Sequence, residues 1–219
     1  DKNKEQSYFL YILTEEDLEH ILFPIGNLTK PEVRAIAKEA GLPTAGKKES
    51  QGLCFVGQVN IKKFLKTKIK PKKGKIVDMD GKIIGEHDGL FYYTIGQRHG
   101  LNIKTGGGPY FVVEKNIKKN ELVVATIKDE NKFYKKELEV GDVSWVSDIK
   151  LSIKCQARIR YRAPLEACVV SISHPARGGA GGGGSEAKVK FSKPQRAVTS
   201  GQSIVFYKDD EVLGGGVIK

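Results

Sequence analysis

The residue of this sequence best suited to covalent chemistry is Cys54. It lies in the stretch Ser50–Gly57 (SQGLCFVG), which is flanked by glycines, shows no clear hydrophobic period and is therefore predicted to be a loop. Lys47 and Lys48 precede this stretch, and cationic groups near a thiol favour the reactive thiolate. An inert buried cysteine would fit the same pattern, so the residues alone leave both interpretations open.

The other two cysteines, Cys155 and Cys168, fall in alternating strand patterns, where we expect small core or surface side chains. Three cysteines at unrelated spacings exclude a dense disulfide framework, and the absence of a CxxC pair gives no reason to expect zinc. The sequence therefore predicts no metal site, and it favours a reducing cytoplasm over an oxidising compartment.

The distribution of charge points to a polyanionic partner. The chain has 219 residues and a net charge of +11, and residues 58–128 alone carry 15 Lys and Arg against 6 Asp and Glu. Eight lysines without an intervening acid lie between Lys62 and Lys75. Such a run suits RNA, because neutralising phosphates releases counterions, but a solvated lysine-rich face would look the same. No apolar run approaches the roughly 20 residues that span a bilayer, so no membrane association is expected.

Helical and strand patterns occupy different parts of the chain. Short helices are predicted at Thr14–Leu18, from a capping box at Thr29 and Glu32 to Gly41, and at Val59–Thr67. A hairpin is predicted on the Asp80–Gly81 turn. Short strands separated by turns indicate small β-barrels or sandwiches, with a module boundary near 129–140. The strand candidates are 90–95, 110–115, 121–127, 151–161, 166–172, 187–191, 203–207 and 211–218.

Three glycine-rich stretches need a separate interpretation. Residues 177–185, which include a run of glycines at 181–184, lie between two strand candidates and are interpreted as an elongated hairpin loop. Residues 105–109 and 213–217 lack the strand–loop–helix setting of a phosphate-binding loop, and we expect bends or close backbone approaches there. No nucleotide site is predicted from these stretches.

Eight short motifs are spread in order over essentially the whole chain: EQSYFL (5–10), FPIG (23–26), SQGLCFVG (50–57), GEHDG (85–89), YTIGQR (93–98), IRYR (159–162), PQRAV (194–198) and LGGG (213–216). In sequence and in order, these motifs resemble those of the tRNA-specific 2-thiouridylase family.

The resemblance implies a specific reaction. Enzymes of this family use ATP to adenylate C2 of the wobble uridine of certain tRNAs and then deliver sulfur to make 2-thiouridine. The cysteine matching Cys54 receives that sulfur as a persulfide from a donor protein, a cysteine desulfurase or a sulfur relay protein. The resemblance also implies tRNA contacts at Lys4, Glu5, Gln6, Arg160, Tyr161 and Gln202.

Departures from the family pattern define what to expect of this chain. The ATP-binding signature Ser-Gly-Gly-x-Asp-Ser and the partner cysteine are absent, so ATP is expected to bind only the full-length enzyme and the isolated chain is expected to be inactive. Glu5 stands where the family usually has Asp. The implied fold is mainly β with a helical N-terminal segment (α+β). Residues 1–57 are expected to be the C-terminal end of an α/β catalytic domain of the ATP-pyrophosphatase type. Residues 58–128 are expected to form a central β module, and residues 129–219 a β-barrel.

Two other classes of function remain open from the sequence. One is a non-catalytic RNA-binding module made of basic β-barrels, and the other is a persulfide carrier that works through Cys54 without ATP. An ATP-binding signature upstream of Asp1 in the full-length gene product would favour the thiouridylase.

Overall fold

A computed structural model of the chain describes residues 1, 5–47, 61–149, 151–172 and 186–219. The chain divides into two compact units. The barrel unit comprises residues 1–48, 136–194 and 199–219, and the central unit comprises residues 49–135 and 195–198.

Three α-helices lie in the first third of the described chain and ten strands follow them. The helices are α1 (Glu15–Glu19), α2 (Lys30–Glu39) and α3 (Ile61–Lys68), and 3₁₀ turns occupy Ser7–Phe9, Leu90–Tyr92 and Glu130–Phe133. The strands are β1 (Gly74–Val77), β2 (Ile83–His87), β3 (Tyr110–Asn116), β4 (Glu121–Thr126), β5 (Lys135–Trp145), β6 (Ser152–Arg158), β7 (Glu166–Ile172), β8 (Ala187–Gln195), β9 (Ser203–Lys208) and β10 (Glu211–Ile218). The mainly β fold with a helical N-terminal segment is confirmed.

The central unit is built on a four-stranded sheet in the order β2-β1-β4-β3. Strands β1 and β2 form the predicted antiparallel hairpin, whose turn places Gly81 at φ +81°, while β1 pairs with β4 in parallel. Ile76, Leu122 and Val124 are completely buried on this sheet. They pack with Leu90 and Tyr93 into one apolar core that holds the unit together.

The barrel unit contains a closed six-stranded barrel in the order β10-β5-β8-β7-β6-β9. Its interior follows the two-residue period of the strands: Ala187, Val189 and Phe191 of β8 are buried, while the residues between them are exposed. Strands β7 and β8 pair antiparallel on either side of the glycine-rich loop prediction, which itself lies outside the described residues. Buried side chains on all six strands supply the hydrophobic core of the unit. They alternate with exposed ones on β8, whereas four consecutive residues are buried on β9 and on β10.

The first two helices begin where their caps predict. The hydroxyl of Thr14 accepts a hydrogen bond from the Asp17 amide at 3.1 Å, and the Thr29 amide donates to Glu32 at 2.6 Å. Helix α2 ends before Gly41, which has φ +66° and serves as the left-handed C-terminal residue. Within the described ranges, no helix has both the length and the apolar composition needed to cross a bilayer.

One strand prediction was wrong, and a second extended too far. Within the candidate 90–95 there is no strand, and Leu90–Tyr92 form a 3₁₀ turn. Leu90 and Tyr93 are both buried, and a spacing of three residues suits that turn rather than a strand. The candidate at 151–161 ends at Arg158, and a turn follows in which Arg162 has φ +64°.

Strand β5 was not predicted, although it begins within the charge-rich stretch 129–140. Leu138 and Val140 alternate with charged residues and are buried, as are Val143 and Trp145. Between these two pairs the register shifts near Asp142, which has φ +48°. This bulge breaks the two-residue period that would have revealed the strand.

Candidate nucleic-acid interface

The structure describes five of the predicted contact residues and the backbone around them in the barrel unit. Glu5 and Gln6 precede the 3₁₀ turn Ser7–Phe9, Arg160 and Tyr161 follow β6, and Gln202 precedes β9. Cys54 and Lys4 lie outside the described residues.

The N-terminal segment, residues 5–19, is held on the barrel by Tyr8. This side chain is 7% exposed and packs with Val205 and Tyr207, and its hydroxyl donates to the Ser203 carbonyl oxygen at 2.8 Å. Burial is the main cause that raises the pKa of Tyr8 to about 12, so the hydroxyl keeps its proton and remains a donor at neutral pH. The Tyr11 hydroxyl lies 3.1 Å from the Ser203 hydroxyl. The docked segment brings Glu5 and Gln6 to the barrel.

Arg158, at the end of β6, links this segment to the barrel electrostatically. Its Nη1 lies 3.8 Å from Glu5 Oε2, and its guanidinium lies 5.5 Å from the centre of the Tyr207 ring. The Glu5 carboxylate also accepts a hydrogen bond from the Ser7 amide. The Arg158 side chain is 19% exposed, and its Nε has no hydrogen-bond partner among the described residues. Arg158 was missed from the sequence, because its contact is with Glu5, which is remote in sequence.

A direct hydrogen bond joins two of the predicted contact residues. Arg160 Nε donates to Gln202 Oε1 at 3.3 Å across 42 positions of sequence. Gln202 is in turn fixed by its backbone, since its carbonyl oxygen accepts from the Ile218 amide at 2.8 Å. The two turns that follow β6 and precede β9 therefore present one guanidinium and one amide together.

Tyr161 belongs to an aromatic group at the surface and not to the barrel interior. Its ring centre lies 4.8 Å from that of Phe9 and 6.1 Å from that of Tyr8. The guanidinium of Arg162 lies 5.3 Å from the Tyr161 ring centre. Phe9 is 56% exposed and was not predicted as a contact. An exposed phenyl ring beside a half-buried phenol is the kind of platform on which an unpaired base stacks.

These side chains form one surface, which we call the Arg160 surface. It combines guanidinium groups for phosphate oxygens, an amide for sugar or base edges, and aromatic rings for stacking. Its members are Glu5, Phe9, Arg158, Arg160, Tyr161, Arg162 and Gln202.

The lysine-rich stretch lies in the central unit. Lys66 and Lys68 are exposed on α3, and Lys70, Lys72 and Lys73 are exposed in the segment before β1. Lys70 and Lys72 also line a small cavity with residues that include the exposed Phe91 and the half-buried Tyr92. This exposed cluster can neutralise phosphates without reading base sequence.

The glycine-rich stretches have structural roles where the structure describes them. Gly215 lies in β10, and a Cβ there would come within 2.6 Å of the Tyr11 ring, so the close approach predicted at 213–217 is confirmed. Residues 105–107 form a bend. No three His, Cys, Asp or Glu side chains among the described residues come together as a metal-binding group.

Three family models match successive parts of the chain. They are described as a tRNA methyl transferase HUP domain over residues 1–58, a tRNA methyl transferase PRC-barrel domain over 62–126, and an aminomethyltransferase beta-barrel domain over 135–218.

Curated relatives match the chain over its whole length. It is 47% identical to the tRNA-specific 2-thiouridylase MnmA of Geobacillus thermodenitrificans, 46% identical to that of Bacillus subtilis and 44% identical to that of Chlamydia pneumoniae. Each alignment covers 100% of this chain but only 57% of the Geobacillus and Bacillus proteins and 58% of the Chlamydia protein. The three consecutive models and the identity along the entire chain show that it belongs to the tRNA-specific 2-thiouridylase family.

Proposed function

We propose that the protein containing this chain thiolates C2 of a wobble uridine in tRNA, and that the chain supplies a tRNA-binding surface and the persulfide cysteine, Cys54. The observation that carries the proposal is the convergence of Glu5, Arg160, Tyr161 and Gln202 on the Arg160 surface. These residues are spread over about 200 positions and were singled out only through the resemblance, yet they lie around Tyr8. The Tyr8 ring packs with Tyr161, and its hydroxyl interacts electrostatically with Arg158, the partner of Glu5, and with Arg160, the partner of Gln202. The proposal places the reaction in the cytoplasm, where tRNA is modified.

The contacts suggest a division of roles on the Arg160 surface. Arg160 and Arg162 suit phosphate oxygens, and the amide hydrogens of Gln202 suit a sugar or base oxygen, because its Oε1 is engaged by Arg160. Tyr161, with Phe9 beside it, suits an unpaired base. Glu5 would repel a phosphate, so we assign it to holding Arg158 in place and to accepting from a base amino group or a ribose hydroxyl.

The sulfur-transfer role rests on the motif around Cys54. A thiolate at Cys54 attacks the outer sulfur of a persulfide on the donor protein, forms a new S–S bond, and releases the donor cysteine as a thiolate. The sulfur donor is a cysteine desulfurase or a sulfur relay protein. The uridine carbonyl must be activated before sulfur can displace its oxygen, and in this proposal ATP does so at a site in the remainder of the protein. The chain by itself is therefore expected to leave tRNA unmodified.

The test uses the full-length enzyme with single substitutions on the Arg160 surface. Arg160→Ala, Tyr161→Ala and Gln202→Ala should each weaken tRNA binding and lower thiolation, while thermal melts show that the protein stays folded. Lys208→Ala is the matched control, because Lys208 is exposed at the opposite end of β9 from Gln202. If all three variants bind and thiolate tRNA as well as the control does, the surface does not contact tRNA and the assignment fails.

The two alternative functions make different predictions in the same assays. A non-catalytic RNA-binding module would respond to the Arg160 substitutions but not to Cys54→Ser. A persulfide carrier without ATP would accept sulfur on Cys54 but would not require ATP for any downstream transfer. Loss of thiolation in Cys54→Ser with unchanged tRNA affinity would exclude the first, and an absolute ATP requirement would exclude the second.

A further inference from the structure

Two cysteines that the proposed function does not use face each other in the barrel. Cys155 on β6 and Cys168 on β7 are direct partners in the antiparallel register, and their sulfur atoms lie 3.7 Å apart. Both are free thiols. Direct antiparallel partners hold their Cβ atoms about 4.5–5.5 Å apart, close to what a disulfide needs.

The two thiols are not equivalent. Cys168 is buried, whereas Cys155 is partly exposed and can be reached from solvent. The hydrogen bond between the sulfurs lowers the pKa of Cys155, and the same bond together with burial raises that of Cys168. Thiolate character and exposure therefore coincide on Cys155, with a second thiol directly behind it.

We propose that Cys155 and Cys168 form a reversible dithiol–disulfide site, with Cys155 as the attacking thiol and Cys168 as the resolving thiol. This proposal is independent of the thiolation proposed above and of Cys54. The oxidant class is a hydroperoxide, and hydrogen peroxide is its simplest member.

The reaction balances in two steps. The Cys155 thiolate attacks one peroxide oxygen, the O–O bond breaks, and the sulfenic acid forms as hydroxide leaves and takes up a proton to become water. The Cys168 sulfur then attacks Cys155, the S–S bond forms, the S–O bond breaks, and a second water molecule leaves with the Cys168 proton. In total the two thiols lose two electrons and the peroxide gains them.

Oxidation would cross-link β6, the strand that ends at Arg158 of the Arg160 surface, to β7. A disulfide requires the two sulfurs, now 3.7 Å apart, to approach to about 2.05 Å. Rotation of both side chains, with an approach of the two strands by up to about 1 Å at this pair, can supply this while the β6–β7 ladder stays in register. The cross-link would tie β6 to β7 three residues before Arg158. The oxidised barrel should therefore unfold at a higher denaturant concentration than the reduced one, because the closed loop restricts the unfolded chain.

The test treats the reduced whole chain with hydrogen peroxide, blocks remaining thiols with iodoacetamide and maps the peptides by mass spectrometry. The expected product is a Cys155–Cys168 linked peptide, two hydrogen atoms lighter than the reduced pair, which dithiothreitol reverses. It should form equally in Cys54→Ser, the control that removes the third cysteine. In Cys168→Ala, oxidation of Cys155 should stop at the sulfenic acid, which dimedone traps.

Two results would overturn the proposal. One is the absence of the linked peptide when both thiols are shown to be reduced and the barrel is shown to be folded. The other is faster alkylation of Cys168 than of Cys155, since we expect Cys155 to react on the order of 10-fold faster. Folding of each variant is checked by the fluorescence of Trp145, the only tryptophan, and Cys168→Ser replaces Cys168→Ala if the alanine variant unfolds.

Discussion

Docking of the N-terminal segment on the barrel should be measurable at a single residue, Tyr8. Its hydroxyl donates to the Ser203 carbonyl oxygen, and its ring packs on Val205 and Tyr207. Two substitutions separate these contributions. Tyr8→Phe removes only the hydroxyl, whereas Tyr8→Ala removes the hydroxyl and the ring.

The structure sets the size of each effect. A single hydrogen bond contributes about 1 kcal/mol net, and Ser203 is only half-buried, so water can replace the lost donor in Tyr8→Phe. Removing a buried aromatic ring typically costs about 3–5 kcal/mol. The stability lost with the ring cannot exceed the total free energy with which the segment docks on the barrel, because a larger loss would detach the segment while the barrel stays folded. We therefore expect about 1 kcal/mol for Tyr8→Phe and about 3 kcal/mol for Tyr8→Ala.

Urea unfolding followed by Trp145 fluorescence reports on the barrel, since Trp145 is 1% exposed and its ring lies 5.3 Å from that of Phe206. Phe9→Ala, in the same 3₁₀ turn but 56% exposed, is the matched control and should cost clearly less than Tyr8→Ala. If Tyr8→Ala costs less than about 1 kcal/mol, or no more than Phe9→Ala, the segment is not held on the barrel by Tyr8 and the reasoning is wrong.

Three further predictions concern pH, salt and sulfur. Burial lowers the pKa of His87, so the folded state resists protonation of this side chain. Its Nε2 lies 3.2 Å from the Asn120 carbonyl oxygen, and its buried Nδ1 has no hydrogen-bond partner among the described residues. The free energy of unfolding of the central unit should fall as the pH drops below the ordinary histidine pKa of about 6.5, by at most about 1.4 kcal/mol per pH unit. Calorimetry should show that the stability of the His87→Phe variant lacks this pH dependence. Replacing Lys72 and Lys73 with alanine should flatten the slope of log K for tRNA against log salt by roughly 0.7–0.9 per lost phosphate contact, and an unchanged slope would assign them to a solvated face. Incubating the chain with a cysteine desulfurase and cysteine should add one sulfur by intact mass, which Cys54→Ser abolishes; a persulfide on another cysteine would contradict this.

The sequence predicted correctly those helices and strands whose formation depends on neighbouring residues along the chain. A capping box predicted the start of α2, and short strand patterns bounded by turns predicted β7 and β10 with the bounds observed. The failures occurred where a tertiary contact overrides the local preference. The apolar run that begins at Leu90 was predicted to be a strand, but its buried residues Leu90 and Tyr93 are three positions apart. The Tyr92 hydroxyl also donates to the Ile69 carbonyl oxygen at 2.9 Å.

The candidate surface shows the same division between local and long-range information. Residue types at Arg160 and Tyr161 suit RNA, but the sequence alone could not show that Gln202 lies within hydrogen-bond distance of Arg160. Arg158 was overlooked because its role depends on Glu5, which is remote in sequence and reaches Arg158 only through docking of the N-terminal segment. Resemblance supplied the names of contact residues, whereas the geometry of their association came from the fold.

One packing contact gives a physical reason for two motifs at opposite ends of the chain. Gly215, in the motif LGGG, has no side chain, and Tyr11, one residue beyond the motif EQSYFL, lies where a Cβ on Gly215 would be. Tyr11 in turn reaches the Ser203 hydroxyl, next to the carbonyl that receives the Tyr8 hydrogen bond. A Cβ at position 215 would lie 2.5 Å from the Ile204 carbonyl oxygen in β9, and it would also push Tyr11 away and with it the segment that carries Glu5. The glycine in the last strand is therefore a positioning element of the Arg160 surface, because it lets the N-terminal segment lie flat on the barrel.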